Sequence, residues 1–378
     1  MRAPTIVLLA AICVTSGARA QGALSTEGLG YPSGQISARS EGAGGSLGDF
    51  DALSLVSPSS IAGAGSAALF FQYSPEFRRV TTGSGTAKTT TARFPLVSGV
   101  LPMGQNWVLG ISSSSFLDRS YETSLVRRQN VGEITDSVDV TEENKVLGAI
   151  NDVRLALAWA SGPVFRVGVG AHVFAGSNRV TISEIFPDST KFLSTNESDR
   201  ISYDGFAASA GLEYHPSRTI GFALAARKGG DLRAEKGDTA LGKGKIPDHY
   251  SASITYDGIT GATLSARAAH DSWSSLAALS STGIQAFDGW DTSVGAEVTG
   301  PRLLQRIIIV RAGARKRTLP FGFNGQKVSE TSFMAGLGAP LARDRASIDF
   351  AFQRAARSSV GPVKETGYIF SFGLRVSP

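Results

Sequence analysis

Cysteine is nearly absent from this chain. The single one among 378 residues is Cys13. It sits in a stretch built like a secretory leader, with Arg2 at the start, an apolar core from Ile6 to Val14, and Ala18-Arg19-Ala20 as an A-x-A cleavage site. The bulky Ile12 before it argues against a lipid-modified cysteine. Cleavage after Ala20 leaves a chain with neither a disulfide framework nor a thiol nucleophile. Long apolar runs are missing too. The leader core is too short to span a bilayer, and after it no stretch reaches the roughly eighteen apolar residues of a transmembrane helix. Excess charge of one sign is also lacking. The formal net charge is +5, Arg2 and Arg19 leave with the leader, and no Lys/Arg tract remains to attract nucleic acid.

Signatures of chemistry are equally thin. Gly168-Val169-Gly170-Ala171-His172-Val173 lacks the last glycine of a dinucleotide loop, and Gly242-Lys243-Gly244-Lys245 lacks phosphate-loop spacing. His172, His215, His249 and His270 show no metal-ligand spacing. No G-x-S-x-G elbow occurs, and a serine hydrolase would need a serine near a histidine and an acid. The expectation is a protein that is not an enzyme and uses no cofactor or metal.

What the sequence does have is glycine, 44 residues of it, and alternation. In the last stretch, Tyr368, Phe370, Phe372, Leu374 and Val376 share one face, and Gly367, Ile369, Ser371, Gly373 and Arg375 share the other. That is a closing strand of an outer-membrane barrel, aromatic toward lipid and small or polar toward the lumen. From residue 66 the pattern repeats in fourteen candidate strands: 66–80, 86–100, 107–118, 147–161, 164–177, 200–214, 219–229, 248–257, 261–272, 288–299, 304–316, 328–338, 345–355 and 364–376. The predicted fold is all-β, a fourteen-stranded antiparallel transmembrane barrel.

Connections after even-numbered strands are short and rich in Gly, Pro and Asp, as at Gly162-Pro163, Asp257-Gly258 and Gly300-Pro301. Those after odd-numbered strands are mostly longer and polar, notably 119–146, 178–199, 230–247 and 273–287. Turns at one rim and loops at the other are the barrel asymmetry. Trp107, Trp159, Tyr214, Tyr250, Tyr256, Trp290 and Tyr368 fall near strand ends, where aromatic girdles lie. Both termini of the mature chain are expected at the short-turn rim. Residues 21–64 hold no strand pattern and are expected to fill the lumen as a plug.

Alternation turns Arg154, Arg166, His172, Glu213, Arg227, Arg267, Asp291, Glu297, Arg311, Asp349 and Arg375 inward. One reading is a salt-bridged, hydrated wall. The other is a few arginines that meet a ligand carboxylate, which a guanidinium fork fits in two places. Phe70, Ile307, Ile309, Met334 and Ile369 also point inward. A lining of mixed apolar and basic groups suits an amphipathic molecule with an acidic head.

The leader of the plug carries Ser37-Ala38-Arg39-Ser40-Glu41-Gly42-Ala43-Gly44-Gly45, then Asp51, then Ser57-Pro58-Ser59 before the first strand. With fourteen strands behind it, this resembles the FadL family of outer-membrane transporters for long-chain fatty acids and other hydrophobic compounds. There Asn-Pro-Ala stands where Ser57-Pro58-Ser59 stands here. The resemblance implies entry from outside, passage past the plug and sideways exit through a gap at the third strand. Gly110, Ser112, Ser113, Ser114 and Ser115 occupy that position, and a run so short of bulky side chains could hold a bulge. The implied function is passive uptake of hydrophobic or amphipathic small molecules. The implied partners are that ligand, outer-membrane lipid and the barrel-assembly machinery. Adaptor barrels with the same leader imply an alternative, a protein partner docked through the long loops, and a general-diffusion porin is the third.

Overall fold

The structure, a computed structural model, describes residues 24–82, 85–130, 137–188, 190–280, 283–303, 306–341, 345–359 and 361–378. The expected leader, with Cys13, lies outside them. Eighteen strand segments form one sheet. They make fourteen strands around a ring, four of them in two segments: β1 (Ala68–Tyr73, Glu76–Thr82), β2 (Gly85–Thr91, Leu96–Met103), β3 (Trp107–Asp118, Tyr121–Asn130), β4 (Ser137–Ser161), β5 (Phe165–Ile185), β6 (Thr195–Tyr214), β7 (Ile220–Lys236), β8 (Thr239–Lys245, His249–Ile259), β9 (Ala262–Asp271), β10 (Gly289–Leu303), β11 (Arg306–Thr318), β12 (Ser329–Leu341), β13 (Ala346–Ser358) and β14 (Lys364–Val376). Pro75, Pro95 and Pro247 mark three of the four breaks, where a ladder loses a donor. β14 closes the ring on β1, with Leu69 opposite Val376 and Phe77 opposite Tyr368. Closure is what lets a sheet face lipid, since an open edge would leave amides without partners.

The two faces follow the sequence. In β14, Glu365, Gly367, Ile369, Ser371 and Gly373 are buried, while Phe372, Leu374 and Val376 are exposed. The long connections are a correction. Residues 121–130 and 137–146 form a paired hairpin rather than a loop, β5 and β6 pair as far as Glu184 and Thr195, and β7 with the first segment of β8 fills most of 230–247. At about 3.3 Å per residue β4 alone is some 80 Å long, far beyond the 9–11 residues that cross a bilayer. Both faces of this projecting part meet water, so its sequence loses the apolar alternation by which strands are recognised.

Residues 24–66 lie inside the ring. They hold one short α-helix, Ala38–Gly42, capped by the Ser37 hydroxyl, which accepts from the Ser40 amide, and a 3-10 turn at Ser59–Gly63. Inward-facing glycines seat the segment. A Cβ on Gly168 would lie 2.5 Å from the Pro58 carbonyl, and one on Gly313 would lie 2.4 Å from the Ala43 carbonyl carbon. The direction of travel is a second correction. Leu24 packs with Tyr31, Leu319, Val328 and Val363 beneath the long-loop rim, whereas Ser66 reaches Ser377 and Arg375 at the short-turn rim. The described chain therefore begins at the long-loop end and descends the whole lumen before entering β1.

Candidate ligand cavities inside the barrel

The N-terminal segment divides the lumen. Above it, toward the long loops, a cavity of about 90 Å³ lies between Tyr31–Ile36 and a wall that includes Arg93, Phe116, Arg227, Arg267, Trp273 and Arg317. Below it, a wider cavity of about 460 Å³ is lined by Arg39, Asp51, Arg166, Ile309, Arg311 and Arg375. Between them the segment is pinned by Asp49, which accepts from Ser251, Ser253 and the Arg267 guanidinium at 3.0 Å.

Most inward arginines are already committed. Arg166 holds Glu213 at 2.5 Å, and Arg311 holds Glu297 and Asp349, both at 2.6 Å. Arg154 donates to the Leu55 carbonyl at 2.9 Å. Arg93 pairs with Glu76 and Asp118, Arg315 with Asp291, and Arg317 with Glu330. Buried cations that hold buried carboxylates brace a wall. Arg227 differs. Its nearest carboxylate, Asp152, is 4.0 Å away, it donates to the Gln35 side-chain oxygen at 3.5 Å, and its Nε, like that of Arg154, has no partner among the described residues. Its guanidinium lies 5.1 Å from the Phe116 ring and 5.7 Å from that of Phe174. The group sits where an apolar cluster, including Phe116, Phe174, Leu232, Ile246, Trp273 and Leu276, meets the upper cavity.

The other expected residues fall as follows. Phe70 packs with Leu53, Leu55 and Leu96 under the segment, and Met334 is buried in the wall. Ile309 lines the lower cavity, and Ile307 is exposed at the short-turn rim. Asp51 staples the segment to itself: it accepts from the Ser37 hydroxyl, from the Ser54 hydroxyl at 2.9 Å and from the Leu53 amide at 3.2 Å. Ser57 and Ser59 share a hydrogen bond of 2.8 Å against Gly211, with Pro58 against Gly168.

Gly110 to Ser114 do not form a gap. They are laddered on both sides, Gly110 to Val100 and Ala156, Ser114 to Leu96 and Asp152. The irregularity lies at Ser115 to Leu117, where the register against β4 shifts. Among the described residues, pairing between β2 and β3 ends at Leu96 and Ser114, beyond which Ser115 donates to the Pro95 carbonyl at 2.9 Å. From inside, the N-terminal segment covers the place. Tyr31 and Asp118 exchange two backbone hydrogen bonds of 2.9 Å, and a Cβ on Gly34 would lie 2.5 Å from the Ser115 carbonyl oxygen.

Two features escaped the sequence reading. Tyr31 is clasped by three arginines, with Arg357, Arg317 and Arg93 at 4.3, 4.7 and 5.4 Å from its ring, and its hydroxyl donates to Glu330 at 2.9 Å. A lone aromatic in a Gly/Ser-rich stretch was the available signal. The second is a chain from Asp152 to His172 Nδ1 at 2.8 Å, and from His172 Nε2 to Ser209 Oγ at 2.8 Å. The ladders of β4, β5 and β6 assemble it from positions far apart in sequence. Two acids of the segment are perturbed by burial. Glu41 is pushed up to about 7, and Glu27 likewise, with Glu365 nearby adding to the effect.

No family model matches the sequence, and no curated protein does. Solved structures do match. A FadL homologue from Pseudomonas aeruginosa superposes with a TM-score of 0.62 at 15% identity, covering 92% of this chain and 99% of that one. The CymD monoaromatic hydrocarbon channel gives 0.57 at 12%, covering 91% and 97%. The Pseudomonas putida toluene transporter TodX gives 0.56 at 14%, covering 91% and 98%. At these identities the likeness establishes the fold: the chain is a fourteen-stranded barrel of the FadL type.

Proposed function

We propose that this barrel lies in a bacterial outer membrane and takes up hydrophobic or amphipathic small molecules passively. The ligand enters at the long-loop rim, crosses the apolar cluster around Phe116 and Trp273, and sets an acidic head on Arg227. The observation that carries this reading is Arg227 itself, a buried cation resting on two aromatic rings, with its nearest carboxylate 4.0 Å away and its Nε unpartnered among the described residues. The structural neighbours named for toluene and monoaromatic hydrocarbons support the apolar part of the route. Uptake of a labelled long-chain fatty acid and of toluene, compared in Arg227→Leu, tests it. Loss of acid uptake with toluene uptake kept is expected; equal acid uptake would remove Arg227 from the route.

The exit we propose is sideways, at the seam beyond Leu96 and Ser114. Each methylene kept out of water is worth roughly 0.8 kcal/mol, which favours release into the membrane. A disulfide between Pro95→Cys and Ser115→Cys should block release until it is reduced. The plug role of residues 21–64 is tested by deleting Gly42 to Ser60, which should leave an assembled barrel leaky to small hydrophilic dyes.

One observation favours a second reading, acyl-ester hydrolysis in the lumen: the Asp152–His172–Ser209 chain has the order of a nucleophilic triad. A fluorophosphonate probe that labels the protein but not Ser209→Ala would support it, and no labelling would dismiss it.

A further inference from the structure

The lipid-facing surface carries an uneven distribution of charge. Along the ladders of β11 to β14, β1 and β2, outward positions form three rows near the long-loop rim. Lys316, Thr331, Ala356, Thr366, Arg79 and Lys88 share the middle row. Arg354 stands one same-face step toward the short-turn rim, in the row of Phe333, Tyr368 and Phe77, and Lys364 one step the other way. All five cations are exposed, and among the described residues none makes an ion pair. The outward positions of these three rows include no Asp or Glu.

On the projecting extensions of the opposite flank, by contrast, exposed lysines have partners. There Lys145 meets Glu122 at 3.1 Å, Lys236 meets Asp199 at 2.7 Å and Lys243 meets Asp231 at 2.8 Å. Arg79 and Lys88 face each other directly across strands, an arrangement that is unfavourable unless something negative lies between them. The height of the belt says what that is. In β14 the outward residues from Tyr368 to Val376 are apolar, about 27 Å along a tilted strand, which is the length that crosses a bilayer. Thr366 and Lys364 follow at once, at the level of the headgroups.

We infer that this belt binds the phosphate of a lipid headgroup in the leaflet at the long-loop rim. Arg79 and Lys88 clamp one phosphate, Arg354 two strands away extends the site, and the acyl chains lie against Phe77, Phe333 and Tyr368. The inference rests on the membrane-spanning reading and goes beyond the transport proposal, since none of these residues faces the lumen.

The test uses full-length protein in mild detergent, with bound phosphatidic acid counted by native mass spectrometry. Arg79→Gln with Lys88→Gln should weaken binding about thirtyfold, from roughly fivefold per cation near a headgroup. Arg354→Gln should weaken it in the same direction. Lys236→Gln with Lys243→Gln, on the paired flank, should leave it unchanged. Heat-modifiable gel migration identifies variants that are folded barrels. Equal binding by the belt variants, equal binding of phosphatidylcholine, or full displacement by inorganic phosphate at the same concentration would each overturn the inference. Solubility without detergent would instead sink the membrane reading itself, so the two failures are told apart.

Discussion

The two flanks of the upper lumen hold the same N-terminal segment by different physics. Under β1, β2 and β12 to β14 the grip is ionic. Arg357 contacts Glu76, Glu330 and Glu365, Arg78 joins Glu76 and Glu365, and Tyr31 is inserted among the guanidinia. Under β3 to β9 and the turn after it, an apolar cluster adds to the polar ties of Asp49 and Leu55: Leu29 of the segment joins Phe116, Phe174 and Trp273, and Phe116 stands edge-on to Phe174 at 4.8 Å and stacks on Trp273 at 5.4 Å. An ionic network demands fixed geometry, because each buried charge is costly without its partner. An apolar cluster tolerates rearrangement of its contacts more readily. The cavity with Arg227 lies between the two, so on the proposed route a ligand would press against the yielding flank while the segment stays anchored to the rigid one.

The largest expected effect comes from removing the hub of the ionic flank. Arg357→Ala leaves three buried carboxylates short of a cation, a loss at the top of the roughly 3–5 kcal/mol range for a broken buried pair. Heat-modifiable migration should show little folded barrel. Normal abundance with an unchanged unfolding temperature would mean that the network is ornamental. Phe174→Ala on the other flank should cost about 3 kcal/mol and still assemble, since the fully buried ring leaves a cavity that neighbours partly fill. If it fails to assemble while Arg357→Ala folds, the contrast between the flanks is inverted.

Tyr31→Phe probes a single bond of the ionic flank. It strips Glu330 of one donor of several, for a cost of about 1 kcal/mol, and should show first as faster amide exchange around Tyr31 and Asp118. Uniform exchange across the barrel would speak against a local anchor. The smallest effect is one of pH. Glu27 and Glu41 hold their protons up to about 7 in the folded chain, against 4.5 as their ordinary value. A raised acid binds its proton more tightly when folded, so stability is fullest below about 4.5 and falls as pH rises through about 7. Protease protection of the segment should therefore decline from about pH 4.5 to about 7 and level off above that, and Glu27→Gln should flatten the decline.

Much of the ring was legible because lipid enforces alternation. Where Leu155, Phe372 or Val376 must meet hydrocarbon and Arg154 or Ser371 must not, period two survives in the sequence. It fails at 121–130 and 137–146, which project beyond the bilayer span, so that Glu142, Glu143 and Asn144 are as acceptable as valine. The inward arginines were also readable, but their state was not: that Arg311 is spent on Glu297 and Asp349 depends on which strands stand side by side. Whether 110–115 pairs or opens was not legible for a similar reason. Serines at 112–115 can bulge or pair, and the neighbours Leu96 to Val100 decide that they pair as far as Ser114.

The descent of the N-terminal segment has a consequence for the order of events in time. Leu24 lies at one end of the lumen and Ala68 opens β1 at the other, with Asp49, Arg39 and Tyr31 tied to the wall between them. Threading such a chain into a finished ring would drag buried acids past a wall of opposite charges, and each step would break pairs before making new ones. Closing the ring around it asks for none of that. On that argument the seam of Leu69 with Val376 would be the last stitch, drawn tight over a thread already laid.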